Sequence, residues 1–171
     1  MRNIILVTIY CSIILSANAQ IEKRFDYKKT PSGVYLVTST FDNFKNDPKS
    51  LLKYQSDPIY VNSLISDLVK EVLTIEKIGK IHFSTGWIIT FNSKGDVLSC
   101  KFSVNEEDRK TISEEDLYGL YIRFKKVKLD MTKIKIDSAN NPLDGIETGY
   151  CEMGGTLIPK EYRDKLLNGK K

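Results

Sequence analysis

The chain has 171 residues, 41% hydrophobic and 28% charged, with only ten glycines and five prolines. That suits one globular domain and excludes a disordered tail or a collagen-like or low-complexity chain. The formal charge of +4 is the small remainder of 26 basic and 22 acidic residues, and no basic domain or stripe points to nucleic acid as a partner.

The first nineteen residues read as a cleavable export signal. Arg2 makes a positive start, Ile4–Leu15 is almost continuously apolar, and Ser16-Ala17-Asn18-Ala19 supplies small residues before Gln20, the expected first mature residue. The apolar run is too short for a membrane span. Cys11 follows bulky Tyr10 inside that run, a poor place for lipidation. No later run approaches the ~18 apolar residues of a transmembrane helix. The mature chain is therefore expected to be periplasmic or extracellular, with no integral membrane span. Two cysteines remain in it, Cys100 and Cys151. An oxidising compartment permits a bridge between them, provided that their strands are neighbours.

Residues 20–33 read as an exposed charged leader, closed by the turn Thr30-Pro31-Ser32-Gly33. Residues 34–171 then form a single domain. Val34–Thr40 is β-branched and aromatic, a strand signal. Residues 41–56 carry Asp42, Asn43, Asn46, Asp47 and Pro48 and read as a loop anchored by Leu51 and Leu52.

A helix follows. Asp57 is a good N-cap and Pro58 suits the first helical position. Val61, Leu64, Ile65, Leu68, Val69, Val72 and Leu73 recur at helical spacing, and Gly79 is placed to end the run.

Ile81–Asn92 and Asp96–Val104 then make a hairpin around Ser93-Lys94-Gly95. A two-residue turn at Lys94-Gly95 sets Phe91 against Leu98, Ile89 against Cys100, Trp87 against Phe102 and Thr85 against Val104. It leaves Thr90/Ser99 and Ile88/Lys101 on the other face. A slip of one residue would mix the apolar and polar faces, so this register is strongly specified.

Ser113 caps a second helix, with Glu114, Glu115 and Asp116 in its first turn, Leu117, Leu120, Tyr121 and Phe124 as its buried stripe, and Arg123, Lys125, Lys126 and Lys128 near its end. Ile134 and Ile136 suggest a short strand, Ser138–Gly145 a loop and Ile146–Met153 another strand. Gly154-Gly155 is expected to break the chain, and Pro159 to open a last helix. The fold class is α+β: a mostly antiparallel sheet with two main helices on one face, ordered strand, helix, hairpin, helix, strand.

The segment Gly86-Trp87-Ile88-Ile89-Thr90-Phe91-Asn92-Ser93-Lys94-Gly95-Asp96-Val97 resembles the central hairpin of TonB C-terminal-like domains, over about residues 57–153. The chain as a whole, with its signal ending Ala-Asn-Ala before Gln20, is similar to small exported proteins of unknown function from Bacteroides-type bacteria. The resemblance implies an α+β domain of the periplasm or cell surface with no assigned activity. The membrane anchor and Pro-rich spacer of TonB have no counterpart in the chain, so energy transduction is not implied.

The sequence singles out no catalytic, cofactor-binding or metal-ligating residue. His82, the only histidine, alternates away from Trp87 and Cys100, against a Cys–His pair. Cys100 on the apolar face suits inert packing. One histidine and two distant cysteines poorly supply zinc, and no CxxC is present. Asp137, Asn140, Asn141 and Asp144 before Gly145 do not have the spacing of a calcium loop. Glu106-Glu107-Asp108 and Glu114-Glu115-Asp116 read as a solvated loop and a helix start rather than an acid pair. Phosphate-loop, dinucleotide and serine-hydrolase motifs are missing. Two readings remain: a non-catalytic binding module that meets an envelope protein or glycan at a sheet edge or polar face, or a carboxylate-dependent hydrolase of envelope polymers.

Overall fold

The computed structural model describes residues 23–137 and 149–168. The export signal, residues 20–22 of the leader, and Asn140, Asn141 and Asp144 of the acidic loop lie outside the described residues. Among the described residues seven strands and four helices run β1 (Phe25–Lys29), β2 (Tyr35–Ser39), β3 (Tyr54–Ser56), α1 (Pro58–Lys70), α2 (Ile75–Lys80), β4 (Gly86–Asn92), β5 (Val97–Val104), α3 (Glu114–Lys126), β6 (Ile134–Ile136), β7 (Tyr150–Thr156) and α4 (Lys160–Asn168). The main sheet has the order β1-β2-β5-β4-β7, and every neighbouring pair in it is antiparallel. β3 and β6 form a separate two-stranded sheet. The class is α+β, as the alternating patterns predict.

The hairpin β4–β5 is the centre of the sheet. Trp87 pairs with Phe102, Ile88 with Lys101, Ile89 with Cys100 and Thr90 with Ser99, the expected register. Nearer the turn the register shifts, and Phe91 pairs with Val97 rather than Leu98. The loop is three residues long, with Gly95 at φ +82°, and the Asn92 Oδ1 accepts from the Lys94 and Asp96 N–H groups. A bulge absorbs the extra residue.

The helices cover one face. Phe124 of α3 meets the rings of Phe102 and Trp87, and Tyr121 meets Phe25. Val61, Ile65 and Val69 of α1 join the same core, and α1 packs on α3. Ser113 caps α3 in a capping box with Asp116. Asp57 caps α1 with Pro58 in its first turn.

Four expectations need correction. The charged leader is a strand over its middle, Phe25–Lys29: Phe25 is 1% exposed, and β1 pairs with β2 along its length. Only Phe25 and Tyr27 face the core there, too few apolar positions to stand out among the charges. The first helix stops at Lys70. Thr74 takes the extended backbone of an N-cap (φ −67°, ψ 154°) and starts α2, so Gly79 lies inside a helix. Within the expected loop 41–56, Tyr54–Ser56 is β3. Finally, Gly154 and Gly155 do not break the chain but continue β7.

Residues 41–52 form a strap that starts against α3, where Phe41 packs on Tyr118, and passes onto the face opposite the helices, where Asn46 meets Glu152. The Asp42 carboxylate accepts the Cys100 N–H and pairs with Lys125. Phe44 packs edge-on against Tyr150, and Leu52 N–H donates to the Tyr150 carbonyl. Thr90 and Ser99, on that face, are buried. Among the described residues no helix is long and apolar enough to cross a membrane.

Candidate functional site

The outer edge of β7 leaves part of its regular backbone unpaired among the described residues. In an antiparallel pair, residues alternate between exchanging both backbone hydrogen bonds with the neighbour and turning both groups away from it. Leu157 N–H donates to the Thr85 carbonyl, which fixes the phase. Gly155, Met153 and Cys151 then bond to β4, while Thr156, Gly154, Glu152 and Tyr150 turn their N–H and C=O outward. The outward Tyr150 carbonyl is taken by Leu52 N–H. The outward Thr156 carbonyl is taken by the Trp87 indole at 3.0 Å. Among the described residues nothing bonds to the outward backbone groups of Glu152 and Gly154.

The two glycines explain how the indole gets there. The indole packs on the bare backbone at Gly155, where a Cβ would stand at ordinary contact distance, 3.4–3.6 Å, from the Trp87 ring, and reaches the far edge of β7. A Cβ on Gly86 would stand 2.5 Å from the Gly155 carbonyl oxygen, so β4 and β7 approach closely there. On the other face a Cβ on Gly154 would meet Ile88 Cγ1 at 3.4 Å, which leaves a notch beside a half-buried isoleucine.

Beside this edge lies an open groove of about 620 Å³, lined by Pro48, Leu51, Leu52, Lys53, Tyr54, Gln55, Asp137 and Glu152. Leu51 is 50% exposed. The Glu152 carboxylate accepts from Asn46 of the strap at 3.4 Å. Burial, with help from Cys151 and Glu152, raises the Tyr54 hydroxyl above its ordinary pKa.

The residues weighed from sequence fall elsewhere. His82 is exposed in the turn before β4, where its Nδ1 meets the Ser84 hydroxyl and accepts Ser84 N–H. Asp108 is buried and accepts from His82 N–H and from the Thr85 hydroxyl, tying that turn to the loop after β5. Its carboxylate holds the histidine backbone, not the imidazole. Glu106 pairs with Lys29 and Glu115 with Arg24, and Asp116 closes the cap of α3 and binds Lys77 at 2.5 Å. These acids are spread over separate contacts.

Cys100 and Cys151 are free and buried. Cys100 pairs with Ile89 and Cys151 with Phe91, so β4 stands between them. Two strand spacings, about 9–10 Å, exceed the reach of a disulfide, whose Cα atoms must lie within about 7 Å. Burial, with the Asp42 charge, pushes the Cys100 thiol well up, and burial raises Cys151 to about 11. Neither is an activated nucleophile. Among the described residues no three His, Cys, Asp or Glu side chains gather as metal ligands would.

Neither a protein-family profile nor a curated protein sequence matches the chain. A solved structure with a similar fold is that of a DUF5043-family protein from Bacteroides uniformis. Its TM-score is 0.52 at 10% identity, over 82% of this chain and 84% of that one. The likeness supports the α+β fold. It carries no activity with it.

Proposed function

We propose that this chain is an exported, non-catalytic interaction module that takes an extended segment of a bacterial envelope protein onto the outer edge of β7. One observation carries the reading. The outward N–H and C=O groups of Glu152 and Gly154 are unpaired among the described residues and border a groove. Strand addition satisfies such groups with main-chain bonds and leaves side-chain pockets to set specificity. The export pattern of residues 1–19 supplies the compartment, and N-terminal sequencing of the protein recovered from an expressing cell should begin at Gln20.

Glu152→Pro tests the docking edge. The substitution removes an outward N–H and no bond to β4, so the sheet tolerates it. On an array of nine-residue peptides, the wild-type chain should mark a subset of extended sequences. The variant, folded with a melting temperature within a few degrees, should mark none of that subset. Equal marking by both proteins would reject the edge as the site.

The hydrolase reading has one observation in its favour, because Asp137 and Glu152 line the same groove. It predicts that an envelope polysaccharide releases reducing ends with the wild-type chain and not with Glu152→Gln. Polymer that stays intact with both leaves the binding module.

A further inference from the structure

Resting on the docking reading above, we infer that the β7 edge selects an extended partner segment with an aromatic residue and, two positions later, a lysine or arginine. The backbone phase fixes which side chains meet. Residues of an added strand that bond to Glu152 and Gly154 lie directly opposite them, with their side chains on the same face. That face is the one opposite the helices, since Met153 and Cys151, which alternate with these residues, are buried in the core under the helices.

Opposite Gly154 the added strand finds no side chain. It finds a notch floored by Ile88, whose Cγ1 lies 3.4 Å from where a Cβ would stand. A flat aromatic ring lying over a strand glycine covers such a gap and shields the backbone bonds beside it. Opposite Glu152 it finds a carboxylate that receives one long hydrogen bond from Asn46, at 3.4 Å. A cation in the partner complements this carboxylate, and opposite charges across a strand pair favour pairing. A strand added antiparallel, like every other pair in the sheet, places its aromatic residue against Gly154 first and its cation against Glu152 two residues later.

A second copy of the chain does not meet these terms. In the antiparallel register that pairs the open residues, Glu152 of one copy against Gly154 of the other, each notch receives a carboxylate in place of a ring and each Glu152 meets no cation.

The test uses labelled nonapeptides of alternating threonine and valine with four centres: Phe-Thr-Lys, Ala-Thr-Lys, Phe-Thr-Glu and the reversed Lys-Thr-Phe. Fluorescence anisotropy against the full chain reads their affinities. The first peptide should bind at least tenfold more tightly than each of the others. Glu152→Lys should reverse the preference between Phe-Thr-Lys and Phe-Thr-Glu. Binding of all four alike, lost in Glu152→Pro, overturns the selectivity and leaves the docking edge standing. Tighter binding of the reversed peptide overturns the antiparallel direction. If none of the four binds and the peptide array is blank as well, the docking reading falls with the selectivity. Sedimentation of the free chain as a dimer that Glu152→Pro abolishes would make a second copy the occupant and overturn the proposal.

Discussion

On one side the main sheet ends in β1, where Lys23, Arg24, Asp26, Lys28 and Lys29 crowd the border. On the other it ends in β7, whose outward row is Glu152, Gly154 and Thr156. The charges of β1 are tied down: Lys23 to Asp26 at 2.7 Å, Arg24 to Glu115 at 2.8 Å, and Lys29 to Glu106 at 2.8 Å. Arg24 also lies over the Tyr118 ring, and Arg109 over Tyr27 and Tyr35. A strand approaching β1 would have to desolvate these groups, which is how edges are kept from pairing. β7 has one carboxylate and two glycines where β1 has a charge at three of its five positions. The same sheet thus closes one border and leaves the other open, and the open border is where a partner strand meets least resistance.

Disturbing the seat of β7 should have the largest effect. Gly86→Ala puts a Cβ 2.5 Å from a backbone carbonyl oxygen that cannot step aside. Urea unfolding should show a loss of about 3 kcal/mol, and binding of extended peptides should go with it as β7 shifts. Opening the other border should cost far less stability and change behaviour more. Replacing Lys28 and Lys29 together with valine removes two charges from β1, along with one exposed ion pair that contributes little. Light scattering should then show concentration-dependent association that the wild-type chain lacks. If the double variant stays monomeric, the charges are not what closes β1.

A smaller effect concerns the helix that anchors β1 through Glu115. Burial alone would raise the Asp116 carboxyl. Hydrogen bonds from Lys77 and from the Ser113 hydroxyl and N–H outweigh it and hold the pKa below the ordinary 3.8. A depressed carboxyl contributes stability that is fully present above its unfolded value and is lost as pH falls through its folded value. Stability should therefore drop on acidification below about pH 4, and Asp116→Asn should flatten that limb in urea titrations between pH 5 and pH 2. An unchanged slope would show that the cap and the Lys77 pair contribute nothing.

What the sequence revealed depended on how sharply a pattern separates two faces. The β4–β5 register was legible because apolar and polar residues alternate on both strands, and a slip would bury Lys101. The bulge was not, because Val97 and Leu98 are both apolar and either can sit opposite Phe91. Asp57-Pro58 marks the start of α1 by capping chemistry, whereas its end turns on Thr74, a threonine that could equally well lie within a helix. β1 was hidden by its own protection, since the charges that guard an edge strand look like a solvated leader. The candidate site was concealed more deeply. Gly154-Gly155 reads as punctuation until the Trp87 indole is seen lying across it, and the strap from Asp42 to Leu52 gives no periodic signal because it forms no regular element along most of its length.

Amide hydrogen exchange along β7, followed residue by residue by NMR, tests the open edge most directly. In the free chain the inward N–H groups of Met153 and Gly155 should be protected, while those of Glu152 and Gly154 exchange at nearly the rate of an exposed loop. Adding the Phe-Thr-Lys peptide should protect Glu152 and Gly154. Uniform protection along β7 in the free chain would show that the edge is already covered, and would contradict the account.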